Sequence, residues 1–122
     1  MAIGLESIER QVEEHVGAWH RVCAVEELEF AWGEAALVDG RQLALFRLES
    51  GEVYAVAQQD PATLSHVMAR GITGSRGGRP TIASPLHKEV YDLQTGECFT
   101  TPGLRLDSYA TRIVDGFLEV AV

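Results

Sequence analysis

Cysteine is scarce in this chain, with two, Cys23 and Cys98, in 122 residues and no Cys-x-x-Cys pair. That excludes a disulfide framework and a four-thiolate metal or cluster set, and it fits reduced thiols in a reducing compartment. Positive charge is also scarce. Ten Lys and Arg stand against 18 Asp and Glu, for a net charge of −8. An acidic domain is repelled by phosphate backbones and anionic lipid, so neither nucleic acid nor a membrane surface is expected as a partner. The densest basic group is Arg70, Arg76 and Arg79. It reads as a solvated loop ahead of a contact with an acidic patch on a partner. Long apolar runs are missing as well. No stretch approaches the roughly 18 residues of a membrane span. The opening MAIGLESIERQVEEHV lacks the apolar region of a secretion signal, so a cytoplasmic location is expected. No Gly-x-Gly-x-x-Gly opens a helix after a strand, and no Ser-His-Asp, Cys-His or paired-carboxylate arrangement stands out.

What is present is short β-forming runs separated by tight-turn signals. Strands are expected over 22–25, 34–38, 43–48, 53–58, 82–86, 90–93, 98–99, 110–114 and 117–122. Asp39-Gly40 and Asp115-Gly116 supply the positive φ of type I′ hairpin turns, and Ser50-Gly51 is a weaker version of the same signal. Gln94-Thr95-Gly96-Glu97 marks one more hairpin. The pattern predicts an antiparallel all-β domain over 18–122. Ahead of it, Leu5, Ile8, Val12 and Val16 form one helical stripe. A short helix is expected there, making residues 1–17 an N-terminal helical extension. The interval 59–80 holds Gly71, Gly74, Gly77 and Gly78 and is too long for a simple hairpin. Leu64, Val67 and Met68 place one helical turn inside it. Trp19, Phe30, Trp32, Phe46, Tyr54, Tyr91 and Phe117 read as core or sheet-face residues, with Trp32 the candidate for an exposed anchor.

One segment carries more. In Ser84-Pro85-Leu86-His87-Lys88-Glu89-Val90-Tyr91-Asp92-Leu93-Gln94-Thr95-Gly96, the residues Pro85, His87, Tyr91, Asp92, Thr95 and Gly96 match a known motif at its spacing. The segment resembles the second half of the Rieske motif, in which a cysteine takes the place of Ser84. The first half is a cysteine and a histidine on a loop upstream, after a Val-Tyr-Ala strand. Here that strand contains Val53-Tyr54-Ala55, and Asp60 and Ala62 occupy the ligand positions. The resemblance implies a Rieske-type antiparallel β-sandwich or barrel with a short N-terminal helix. It also implies that three of four ligand positions are lost and only His87 remains. A Rieske cluster needs two thiolates on one iron and two imidazoles on the other. A carboxylate, a methyl group and a hydroxyl do not replace them.

A broader likeness runs from Trp19 to the C-terminus. It includes Trp19-x-x-Val22-Cys23, Gln42 to Arg47, Asp60-Pro61 with Ala69-Arg70-Gly71-Ile72-x-Gly74, Ala83 to Lys88, and Tyr91-Asp92-Leu93-x-Thr95-Gly96-x-Cys98. The chain resembles the small subunits of cytoplasmic NAD(P)H-dependent nitrite reductases, in which Asp-Pro and Ser-Pro-Leu stand at the cluster positions. That resemblance implies a non-catalytic subunit for the reduction of nitrite to ammonium in nitrate assimilation. It would have no catalytic, cofactor-binding or metal-binding residues of its own. It would dock on a large subunit that carries FAD, a [4Fe–4S] cluster and sirohaem. Two alternatives remain at this point. One is an electron carrier of the Rieske [2Fe–2S] ferredoxin type. The other is a stand-alone binding module in which His66, His87 and Asp60 form a two-histidine, one-carboxylate metal site.

Overall fold

A computed structural model describes residues 17–86 and 89–122. Its strands are β1 (Trp19–Ala24), β2 (Glu34–Val38), β3 (Arg41–Arg47), β4 (Val53–Ala57), β5 (Ile72–Arg76), β6 (Arg79–Ala83), β7 (Val90–Asp92), β8 (Ser108–Tyr109), β9 (Thr111–Val114) and β10 (Phe117–Ala121). They form three antiparallel sheets, ordered β1-β10-β9, β2-β3-β4-β8 and β5-β6-β7.

The run Leu43-Ala44-Leu45-Phe46 explains how the sheets stack. All four side chains are buried, although strand geometry points neighbours to opposite faces. Leu43 and Leu45 join Val53, Ala55, Leu118, Val120 and Val122 in one apolar cluster. Ala44 and Phe46 join Val56, Met68, Ile82, Tyr91, Leu93 and Leu106 in another. The sheet of β3 and β4 is therefore the middle layer of a sandwich with an apolar interior on each side. Each large apolar side chain buried there contributes about 1.5–3 kcal/mol.

Three connections follow from turn chemistry. Asp39 (φ 51°) and Gly40 (φ 78°) join β2 to β3, and Asp115 (φ 52°) and Gly116 (φ 81°) join β9 to β10, both with the two positive φ values of a type I′ turn. Gly77 (φ 59°) and Gly78 (φ 82°) do the same between β5 and β6. This third hairpin falls in the glycine-rich interval that the sequence reading left without strands. The helical turn expected at Leu64, Val67 and Met68 does not form over those residues, since Leu64 has a positive φ of 67°; a short 3-10 turn follows at Met68–Arg70.

Two parts of the expected fold class are corrected. The strands form three separate sheets, and none closes into a barrel, because each sheet has two free edges. The short N-terminal helix is not a feature of the described fold. The only helical elements among the described residues are the 3-10 turns Val25–Glu27 and Met68–Arg70, and residues 5–16 lie outside the described residues. The fold is an all-β sandwich of three antiparallel sheets. The strand expected over 98–99 is reduced to a single bridge between Tyr91 and Cys98.

Candidate functional site

The two motif loops meet at one end of the molecule. The first leaves β4 through Gln58 and Asp60. Gln58 is buried and works as a clamp. Its carbonyl accepts from the N–H groups of Val67 and Met68, both at 3.0 Å. Its side chain accepts from the Ala69 N–H at 2.8 Å and donates to the His66 carbonyl at 3.3 Å. Inside that clamp the chain turns around Asp60. The Asp60 N–H donates to the Ser65 carbonyl, and the Leu64 N–H donates to the Asp60 carbonyl, each at 2.7 Å. Asp60 Oδ1 accepts from the Ala62 N–H at 2.8 Å, the turn expected of an Asp ahead of a Pro. Leu64 closes the turn in the left-handed region at φ 67°, a conformation a branched aliphatic residue adopts only when its surroundings impose it.

The second loop leaves β6 at Ser84. The Ser84 N–H donates to the Glu89 carbonyl at 2.8 Å, and Ser84 Oγ accepts from the Leu86 N–H at 3.3 Å. Glu89 also accepts from the Thr101 hydroxyl at 2.8 Å and from the Thr100 hydroxyl. These bonds brace the loop from below.

One buried contact joins the loops. Ser84 Oγ donates to Asp60 Oδ2 at 2.5 Å, across 24 residues of sequence. Asp60 is fully buried and Ser84 is 2% exposed. Both Asp60 oxygens are thus engaged, one by a hydroxyl and one by a backbone amide. Beneath lies Tyr91, fully buried, whose hydroxyl has no hydrogen-bond partner. Its phenol is pushed well above the ordinary value, first by burial and then by the nearby Asp60, Cys98 and Glu89. The motif residue Asp92 is also buried. Its Oδ1 accepts from the N–H groups of Gln94 and Thr95 at 2.6 and 3.0 Å, and its Oδ2 pairs with Arg79.

The sequence-derived site residues divide accordingly. Asp60 and Ser84 are brought together. Ala62 is exposed on the first loop, and so is His66. His87 lies outside the described residues. Among the described residues, no group of three His, Cys, Asp or Glu side chains is placed to hold a metal ion. The residues present do not fit a [2Fe–2S] cluster. Where two thiolates are required, a carboxylate and a hydroxyl are bonded to each other. Cys98 bridges to Tyr91, and Cys23 lies on β1 in the opposite outer sheet. The sequence pattern places Tyr91 in the second motif but assigns Gln58 no role at this end of the molecule. The signal for Gln58 was a polar side chain closing the run Val53 to Ala57, two positions ahead of Asp60-Pro61.

Residues 18–121 match the model of the Rieske-like [2Fe-2S] domain family. The nitrite reductase (NADH) small subunit of Salmonella typhimurium is 30% identical over 103 residues, which cover 84% of this chain and 95% of that protein. The chain belongs to the nitrite reductase small-subunit family. A solved structure assigned as the NADH-dependent nitrite reductase small subunit of Mycobacterium tuberculosis shares this family fold. It has a TM-score of 0.84 at 38% identity, covering 88% of this chain and 96% of that one. A similar segment occurs in a nitrite reductase [NAD(P)H] large subunit from Klebsiella oxytoca. There it is 35% identical over 78 residues, 64% of this chain and 8% of the large subunit. Among the described residues of this family member, no helix is long and apolar enough to cross a membrane.

Proposed function

We propose that this chain is the accessory, non-catalytic small subunit of a cytoplasmic NAD(P)H-dependent nitrite reductase of nitrate assimilation, reducing nitrite to ammonium. It docks on a large subunit that performs the chemistry. One observation carries the reading: the buried Ser84–Asp60 hydrogen bond joins the two loop tips that a Rieske cluster would join. The loops are held in place without metal, so the fold keeps its shape while giving up electron transfer through a cluster. The Klebsiella large subunit supports the partner. A module built into a large subunit in one protein is expected to work beside a large subunit where it is a separate chain.

In this reading Asp60, Ala62, Ser84 and His87 are degenerate cluster positions with no cofactor-binding or catalytic role. Residues 18–122 form the docking domain, and residues 1–17 are an extension to it. The test is purification of the chain with its large subunit. The small subunit alone should be colourless and free of iron and inorganic sulfide. It should co-purify with the large subunit and show no nitrite-dependent oxidation of NADH by itself. Visible absorption with about two irons per chain would instead identify an electron carrier of the ferredoxin type.

A further inference from the structure

We propose that the face built from residues 61–86 is the surface by which this chain docks on an acidic surface of the nitrite reductase large subunit, an inference that rests on the accessory-subunit reading. None of the 18 acidic residues lies between positions 61 and 88, whereas Arg70, Arg76, Arg79 and Lys88 all do. A chain of net charge −8 therefore carries one cationic block, running from the first motif loop to the second.

Among the described residues, the structure narrows the block to two unpaired arginines. Arg79 is neutralised by the buried Asp92 and by Glu97 at 3.4 Å. Arg70 and Arg76 are exposed and face no carboxylate among the described residues, Arg76 resting instead over the Phe99 ring.

Apolar surface collects on the same face. Leu64 is 65% exposed, Ile72 74% and Leu86 50%. The loops of Leu64 and Leu86 are tied together by the Ser84–Asp60 bond. Ile72 pairs with Ala83 at the root of the second loop. Gly71 brings the chain to this position, since a side chain there would collide with the Ala83 carbonyl. The outer edge of β5 has no strand neighbour among the described residues. Apolar anchors with a cationic rim make a recognisable docking patch. The rest of the molecule is acidic and is repelled by an acidic partner. Attraction therefore exists in one orientation only, with this face leading, which fixes register and speeds encounter.

The test uses the full chain and the purified large-subunit holoenzyme. Binding is measured at low and high salt for the wild type and for Arg70→Glu, Arg76→Glu and Arg41→Glu, with circular dichroism to verify folding. Arg41 is exposed at the β2–β3 turn on another sheet and receives the same charge change. Wild-type binding should weaken as salt rises. Arg70→Glu and Arg76→Glu should each weaken it by about tenfold or more, and Arg41→Glu by less than about twofold. Arg70→Lys should restore most of the lost affinity. Equal binding by all three Glu variants, with wild-type binding intact, would sink the docking face and leave the accessory-subunit reading standing. Failure of the wild type to bind the large subunit at all would remove both. Self-association of the isolated chain that Arg70→Glu abolishes, seen by sedimentation, would make a second copy the occupant and overturn the proposal.

Discussion

The two interiors of this molecule are held by different physics. The one between β1-β10-β9 and the middle sheet is built from apolar side chains, with the Arg47 guanidinium at its margin donating to the Val25 and Leu28 carbonyls. The side facing the motif loops contains every buried polar residue of the described chain: Gln58, Asp60, Thr81, Ser84 and Asp92. Apolar packing tolerates small adjustments, whereas a buried hydrogen-bond network is stable only when every member is satisfied. The first interior supplies bulk stability. The second fixes the position of two loops, a task that metal coordination performs in proteins with a cluster.

The contrast can be broken most severely on the apolar side. Leu118→Ala, at a fully buried position, is expected to lower the unfolding free energy by about 2–5 kcal/mol in urea titrations. A smaller but more local effect is expected at the loops. Asp60→Ala removes the acceptor of two buried or half-buried donors and should cost about 2–3 kcal/mol. Hydrogen exchange should rise around Ala62 and Leu86 before it rises in β3. Ser84→Ala should cost about 1–2 kcal/mol, and the double variant should cost less than the sum of the two singles, because one shared bond is lost once.

A third effect depends on pH. Burial, with the Glu52 hydrogen bond second, pushes the Tyr54 phenol up to about 12, and Tyr91 is shifted in the same direction. A raised folded-state value means that the unfolded chain ionises first. The stabilisation is complete below pH 10 and is lost as pH rises from about 10 through 12. Alkaline unfolding followed by circular dichroism should therefore set in above pH 10, and Tyr54→Phe should move it upward. The smallest change is expected from Tyr91→Phe. The lost hydroxyl has no partner, so stability should stay within about 0.5 kcal/mol or rise slightly. A loss of about 2 kcal/mol would reveal a bond to that hydroxyl.

Much of the base of the fold was legible because its turns carry their own chemistry. Asp39-Gly40 and Asp115-Gly116 announce their hairpins through residues that accept positive φ. The Gly77-Gly78 hairpin escaped because its flanking strands lack alternation: β5 is largely exposed and reads Ile-Thr-Gly-Ser-Arg. The barrel expectation failed because a strand pattern does not say how sheets close. Yet the unbroken Leu43-Ala44-Leu45-Phe46 run was a sign of burial on both faces. At the site, the spacing of Asp60 and Ser84 located the loop tips. Their direct bond was beyond the reach of spacing, since it depends on how 24 intervening residues fold. Two aromatics of the core or sheet-face group lie at the surface, one of them the anchor candidate Trp32. Trp32 is 71% exposed, and Phe30 lies at the surface with the Arg47 guanidinium 4.3 Å from its ring centre.

The double-sided burial of β3 makes that strand the keel of the molecule. Leucines face one hold, and an alanine and a phenylalanine face the other. Deleting or inserting a single residue within 43–46 would swap the two cargoes, driving Phe46 into space cut for a leucine and leaving a void where it had been. A change of length is therefore better absorbed at the hairpin ends and in the loops than within β3. The two motif loops could trade their ligands for a carboxylate and a hydroxyl without disturbing the hull.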